Sequence, residues 1–415
     1  MKTAYSEARE LYGVHEVDTE TALSTLQSIP ISIHCWQGDD VGGFEKPEGA
    51  VNQGGLQVTG NHPGKARSID ELRMDFEKVL TLVPGRHRMN LHACYADLGS
   101  ARVDRDQYTI EHFASWVEWA SSLGIGLDFN PTFFAHPKAA DGFTLSHRDA
   151  EVRDFWIAHG RACRCIAGEI GRRLGSDCVN NVWIPDGFKD SPADRLAPRE
   201  RLLASLDEIF SDEVPNCLDA VESKLFGIGS ESYVVGSLEF YFGYAVSRQM
   251  ILCLDAGHFH PTESMADKIS SAFLYLPRLL LHVSRGIRWD SDHVVILDDP
   301  TRAIAEELVR GGFLHRSHIG LDFFDASINR VAGWVIGTRS IQKALLLALL
   351  EPSGLLRDLE NTRDFTGRLA LLENWKSMPF GAVWEEFCLR NNAPGDQAWI
   401  EEIRKYERAV LLKRI

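Results

Sequence analysis

The sequence predicts an α/β protein built as a closed (β/α)8 barrel with a helical extension after it. Three observations carry this. Short β-rich runs recur eight times, most are followed by an amphipathic helical stretch, and the alternation fills about 300 of the 415 residues, the scale of such a barrel.

An N-terminal helical segment precedes the first strand, and the barrel is expected over about 30–325. The strand runs are 31–36, 88–92, 125–129, 179–184, 218–223, 250–255, 279–282 and 318–322. Candidate helices lie at 66–82, 110–123, 149–174, 198–210, 262–273 and 301–309. An open doubly wound sheet is the alternative, but it calls for a Gly-rich turn that opens a helix directly after the first strand. Here the first strand instead enters Gln37-Gly38-Asp39-Asp40 and a Gly-containing segment that continues to Gly64. A connection this long reads as a lid over 38–64. The extension, about 326–415, carries helical runs at 332–350, 369–376 and 398–412 and shows no linker composition, so residues 1–415 are expected to form a single domain.

Composition narrows the chemistry. Forty-four Lys and Arg face 59 Asp and Glu, a formal charge of −15, which on average repels nucleic acid and anionic membranes and favours neutral or cationic ligands. No stretch reaches the roughly 18 apolar residues of a membrane span and no apolar leader opens the chain, so the expected location is cytoplasmic. Eight cysteines stand without a Cys-x-x-Cys pair and read as reduced core thiols.

In a barrel of this kind, polar residues at the C-terminal ends of the strands face the active-site mouth. Strand five ends in Glu222 and Lys224, strand six in Asp255 followed by His258 and His260, strand seven in His282, and strand eight in Asp322. The turn after strand seven adds Asp290, Asp292 and His293. Any one of these alone is an ordinary cap, turn or core residue. Together they crowd too many acids onto one rim to be buried without cations. The donors are oxygen and imidazole with no thiolate, which favours Mn²⁺, Mg²⁺ or Co²⁺, and their number suits two ions. Lys224 shares a strand face with Glu222, either as an ion-pair partner or as a charge that holds a substrate oxygen or a water. His92, ending strand two, is a candidate for moving protons near neutral pH. Trp36 and Trp183 also end strands and are candidate apolar walls of the mouth.

These residues sit in strings that resemble the bacterial L-rhamnose isomerase family. They are His34-Cys35-Trp36-Gln37-Gly38-Asp39-Asp40, Val182-Trp183-Ile184-Pro185-Asp186-Gly187, Asp219-Ala220-Val221-Glu222-Ser223-Lys224, Leu254-Asp255-Ala256-Gly257-His258-Phe259-His260, Arg288-Trp289-Asp290-Ser291-Asp292-His293 and His318-Ile319-Gly320-Leu321-Asp322. The likeness extends through Trp334-Val335-Ile336-Gly337-Thr338-Arg339 in the extension and covers essentially the whole chain. It implies a xylose-isomerase-like barrel, interconversion of L-rhamnose and L-rhamnulose, a homotetramer, and two Mn²⁺ ions per subunit with Co²⁺, Mg²⁺ or Zn²⁺ as alternatives at one site. Position by position, it implies that His258, Asp290 and Asp292 hold the catalytic ion. Glu222, Asp255, His282 and Asp322 hold the second, some of them also meeting the substrate. For such a substrate Lys224, His92 and Asp322 are the catalytic candidates, with His92 assisting ring opening, and Trp183, Trp36, Lys224 and His92 the substrate-binding ones, with both indoles against the sugar carbons and Val51, Leu56 and Val58 of the lid against the 6-deoxy methyl group. A metal-dependent hydrolase or endonuclease on the same fold, and a non-enzymatic sugar-binding protein, are the rivals; the acidic charge argues against the endonuclease.

Overall fold

The computed structural model describes residues 3–45, 58–225, 232–287, 291–395 and 397–414. Eight parallel strands close a barrel in sequence order: β1 (Ile31–His34), β2 (Arg88–His92), β3 (Gly126–Asn130), β4 (Cys178–Val182), β5 (Cys217–Glu222), β6 (Ile251–Asp255), β7 (Leu279–Val283) and β8 (Ser317–Leu321). β8 closes on β1 through Ile31 opposite Ile319 and Ile33 opposite Leu321. All eight expected strands are present. The main boundary shifts are at β1 and β4, where 35–37 form a 3-10 turn rather than strand and Trp183 lies just past the strand end.

The strands alternate in the usual way, one set of side chains outward against helices and the other into the barrel. The outward set belongs to the main apolar core, with Ile31, Ile33, Leu127 and Leu281 fully buried. The interior is divided. Val179, Ala220, Ile251, Cys253 and Leu280 form a small apolar cluster of their own. On the β1 to β3 side Asp128 pairs with Arg88 at 2.9 Å and accepts 2.6 Å from the Ser32 hydroxyl. An interior that is half polar is held by hydrogen bonds, because each buried group there has a partner to find.

The helices begin where side chains can cap them. Asp149 accepts from Glu151 N to start α5 (Ala150–Leu174), and Gly175 ends it at φ +67°. Ser68 caps α3 (Ile69–Leu80) and Asp298 caps α9 (Asp299–Arg310). The remaining crossover helices are α4 (Ala114–Leu123), α6 (Leu196–Ile209), α7 (Leu238–Arg248) and α8 (Ala266–Phe273). The N-terminal segment is α1 (Ala4–Gly13) and α2 (Thr19–Gln27). α7 is a crossover the sequence reading lacked. In the extension, α10 (Arg330–Leu349) packs on α9, α2 and α3 and is buried almost all round. It is followed by α11 (Ser353–Asn361), α12 (Phe365–Trp375), α13 (Phe380–Arg390) and α14 (Ala398–Ala409), of which α11 and α13 were not expected. A short antiparallel ribbon, Gly187–Phe188 with Tyr233–Val234, joins the loops after β4 and β5. No helix among the described residues is long and apolar enough to cross a membrane.

The eight cysteines are free, and six are buried. Cys165 is an exception to the core-thiol reading, because it lies on the solvent face of α5, and Cys217 is half-buried.

Candidate functional site

The C-terminal rim of the barrel carries a polar side chain from every strand end: His34, His92, Asn130, Asn181, Glu222, Asp255, His282 and Asp322, each buried. Strand parity explains the ring, since each is at or next to the last inward position of its strand.

On the β5 to β8 side the ring tightens into a cluster. Ligand atoms of Glu222, Asp255, His282 and Asp322 all lie within 4.8 Å of one another. His282 Nδ1 is 3.2 Å from Glu222 Oε2, 3.2 Å from Asp322 Oδ2 and 3.6 Å from Asp255 Oδ2. Asp255 Oδ1 accepts 2.6 Å from Gly257 N, and His258 N bonds Asp255 O at 3.2 Å. That tight turn folds His258 back over the strand end, where its Nδ1 is 3.1 Å from Glu222 Oε1. Glu222 is therefore shared between the cluster and His258, and it also accepts from the Asn181 amide.

The electrostatics follow from this crowding. Burial alone would raise Glu222, but His282 and His258 outweigh it and hold its carboxyl well below the usual range. Burial pushes Asp322 up to about 7, with Asp255 and Glu222 adding to the shift and His282 opposing it. Burial disfavours charge on His282, yet Cys253 and the surrounding Glu222, Asp255 and Asp322 raise it well above an ordinary histidine. Three acids around one imidazole are an arrangement that a divalent cation relieves. The donor chemistry fits one: three carboxylates and an imidazole, with His282 Nε2, Asp255 Oδ2 and Asp322 Oδ1 buried and lacking a hydrogen-bond partner among the described residues.

A pocket of about 510 Å³, counting the space open to solvent, lies above the cluster, lined by Glu222, His258, Asp292 and Asp322 on one side and by Trp36, His92, Asn130, Thr132, Phe134, Asn181, Trp183 and Lys224 on the other. Trp36 stacks on His92 with ring centres 4.1 Å apart and on His34 at 5.1 Å. Lys224 Nζ lies 4.6 Å above the Trp183 ring, and Phe134 meets Trp183 edge-on at 5.7 Å. The indole N–H groups of Trp36 and Trp183 are buried and have no hydrogen-bond partner among the described residues, as suits donors facing a hydroxylated ligand. His92 Nε2 is 3.0 Å from the Asn130 side chain. With the Asn130 oxygen turned to His92, its amino group reaches Asn181 O at 3.2 Å and Phe129 O at 3.0 Å. Burial lowers His92 to about 3, so its imidazole is neutral.

The structure thus brings together Glu222, Asp255, His282, Asp322, His258, Asp292, Lys224, His92, Trp36 and Trp183. Asp290 lies outside the described residues, as do Val51 and Leu56. Val58 is described and packs against the core, but it does not line the pocket. The sequence reading missed Asn181, Asn130, Thr132 and Phe134, and passed over His34, whose Nε2 is 3.8 Å from Asp322. Strand parity was the available signal for His34, Asn130 and Asn181; none existed for Phe134. A second, larger cavity of about 1200 Å³ on the same measure lies at the opposite end of the barrel around Arg88, Asn90 and His318, far from the acid cluster.

A family model described as L-rhamnose isomerase matches residues 1–414. The L-rhamnose isomerases of Citrobacter koseri and Escherichia coli are each 58% identical over 416 residues, covering 100% of this chain and 99% of theirs. That of Rhodopirellula baltica is 58% identical, covering 100% and 97%. Among solved structures, a xylose isomerase domain protein from Alicyclobacillus acidocaldarius is 10% identical with a TM-score of 0.46, covering 78% of this chain and 99% of its own.

Proposed function

The chain belongs to the L-rhamnose isomerase family, and we propose that it interconverts L-rhamnose and L-rhamnulose with two divalent cations held at the barrel rim. The observation that carries the metal reading is the buried cluster of Glu222, Asp255, His282 and Asp322. These four would hold one ion. His258 and Asp292, with Asp290 two positions before Asp292, would hold the catalytic one, and Glu222 contacts both imidazoles. Oxygen-rich donors favour Mn²⁺ over a thiolate-type zinc site.

A bound divalent ion supplies Lewis-acid polarisation of the sugar oxygens and a bound water of lowered pKa. The chain's own groups do the rest. Trp36 and Trp183 present apolar faces to the sugar carbons, and their N–H groups donate to its hydroxyls. Lys224, buried over Trp183, places a positive charge where oxygen charge develops as hydrogen passes from C2 to C1. The alternative is a structural ion pair with the neighbouring acids. His92 remains neutral and offers a hydrogen-bonding nitrogen to the opening ring; Asp322, also beside the pocket, handles proton movement at the rim. Both a hydride shift and an enediol proton transfer are compatible with these groups.

The same reading makes the chain one domain, cytoplasmic and homotetrameric. The test is turnover of L-rhamnose by metal-stripped protein with and without Mn²⁺, alongside L-mannose, L-lyxose and D-allose. Ketose should form only with metal. No ketose from any of the four sugars refutes the isomerase reading, and full turnover without metal refutes the cluster's role.

A further inference from the structure

Arg105 touches neither the pocket nor a strand end. It sits on a 3-10 turn, Arg105–Gln107, yet its side chain is 1% exposed and its donors are shared between the loop after β3 and Glu45. Nη1 donates to Thr132 O and to Phe134 O, both at 2.6 Å, and Nη2 reaches Ala135 O at 3.3 Å. Its other edge grips Glu45, with Nε 3.0 and 3.1 Å from the two carboxylate oxygens, and Tyr108 donates to the same carboxylate at 2.7 Å. From the far side, His159 lies 2.9 Å from Arg105 O and 2.5 Å from Pro131 O.

The clamped segment has a backbone that its residues do not favour. Thr132 and Ala135 stand at φ +59° and +52°, the left-handed region, and a β-branched residue there is unusual. Two of the segment's side chains, both buried, line the sugar pocket. Thr132 Oγ1 lies 3.5 Å from His92 Nδ1, and Phe134 packs on Trp183, above which Lys224 sits. Glu45 is the last described residue before 46–57, and its N–H bonds Cys94 O at 3.1 Å.

We propose that Arg105 is a positioning residue for the sugar pocket: its guanidinium fork holds the loop after β3 in a strained form that sets Thr132 against His92 and Phe134 against Trp183, and ties that loop to Glu45. The inference rests on the isomerase reading. A planar fork is required, because one ammonium cannot reach three carbonyls and a carboxylate on opposite edges.

The experiment measures kcat, KM and Mn²⁺ affinity for wild type, Arg105→Lys, Arg105→Lys with Ala135→Gly, and Glu45→Gln, using L-rhamnose. Loss of pocket geometry by a fraction of an ångström to 1 Å should lower kcat/KM of Arg105→Lys by roughly 10- to 100-fold, with Mn²⁺ affinity unchanged. Glycine at 135 removes part of the backbone strain the fork sustains, so the double variant should recover part of the loss. A structural role unconnected to this loop would show no such recovery. Wild-type kcat/KM in Arg105→Lys, a parallel loss of Mn²⁺ binding, or no recovery with Ala135→Gly overturns the proposal. If Arg105→Lys does not fold, Glu45→Gln decides: a reduced kcat/KM with intact Mn²⁺ binding supports it, and an unchanged kcat/KM overturns it. A wild type that turns over no L-rhamnose would instead defeat the functional reading, which the Arg105 variants cannot do.

Discussion

At Lys224 a charge is buried at 4% exposure against the Trp183 face, beside a rim rich in acids. A cation in such a place is costly unless it has something to stabilise. Lys224→Met keeps the length and the stacking area but removes the charge. Its kcat should fall by about 10²- to 10³-fold with Mn²⁺ affinity retained, and a kcat near wild type would show the ammonium to be only an ion-pair partner. Asp39 gives a different prediction. Burial pushes it up to about 7, against hydrogen bonds from the Tyr95 hydroxyl and from Gly43 N at 2.7 Å. A carboxyl raised in the folded state contributes stability fully present below its unfolded value of about 3.8 and lost as pH rises through about 7, at most about 4 kcal/mol. Asn at 39 can serve both neighbours without titrating. In metal-stripped protein, the fall of Tm between those pH values should therefore be shallower in Asp39→Asn, and parallel curves would discredit the assignment. Residues such as Glu222, Asp255 and His282 were legible because an acid or imidazole ending a barrel strand has few structural reasons to be there. Asn181 and Phe134 were not, because an amide or a phenyl ring in that place carries no chemical signature until register shows which way it faces.

Between residue and barrel stand the elements that carry the rim. The segment 58–64 crosses the loop after β8, where His62 N bonds Ala326 O at 2.8 Å and Ala326 N bonds Thr59 O at 3.2 Å. Gly60 makes this contact feasible: at φ +119° any Cβ would come within 2.2 Å of the Ala326 and Ser327 backbone. Gly60→Ala must displace main chain four residues from Asp322, and the combined strain is on the order of 2 kcal/mol or more. A lower Tm together with weakened Mn²⁺ binding is expected, and loss of neither would mean the crossing yields freely. The same segment shows why the lid was only partly readable. Its glycines announced irregular backbone, but their purpose, close approach to a chain more than 260 positions away, is tertiary. α7 illustrates the opposite failure. Phe240, Tyr241, Phe242 and Tyr244 favour a strand by propensity, and only the burial of Tyr241, Tyr244 and Ala245 on one face makes the stretch a helix.

For the molecule as a whole, the question is what binds the C-terminal extension to the barrel. Its entry was legible, since α10 follows the strongly apolar run that the sequence places at 332–350; α11 and α13 were not, being short and amphipathic on a surface that only the neighbouring helices define. The end of the chain returns to α3. Arg414 pairs with Asp75 at 2.5 and 2.8 Å, Tyr406 donates to the same carboxylate at 2.7 Å, and Glu407 bonds both His62 at 2.7 Å and Asn329 at 3.0 Å. The last turns of the chain therefore brace the segment 58–64, which in turn braces the loop after β8. Asp75 is 2% exposed, so removing its guanidinium partner leaves a buried carboxylate with the Tyr406 hydroxyl alone. Breaking a buried pair in this way costs roughly 3 kcal/mol or more, whereas an exposed pair contributes below about 1 kcal/mol. Arg414→Ala should lower Tm by several degrees, while Arg404→Ala, which breaks the exposed pair with Glu401 on α14, should leave it where it was. Equal effects of the two changes would mean that the tail is held by apolar packing and that its ion pair merely decorates the contact.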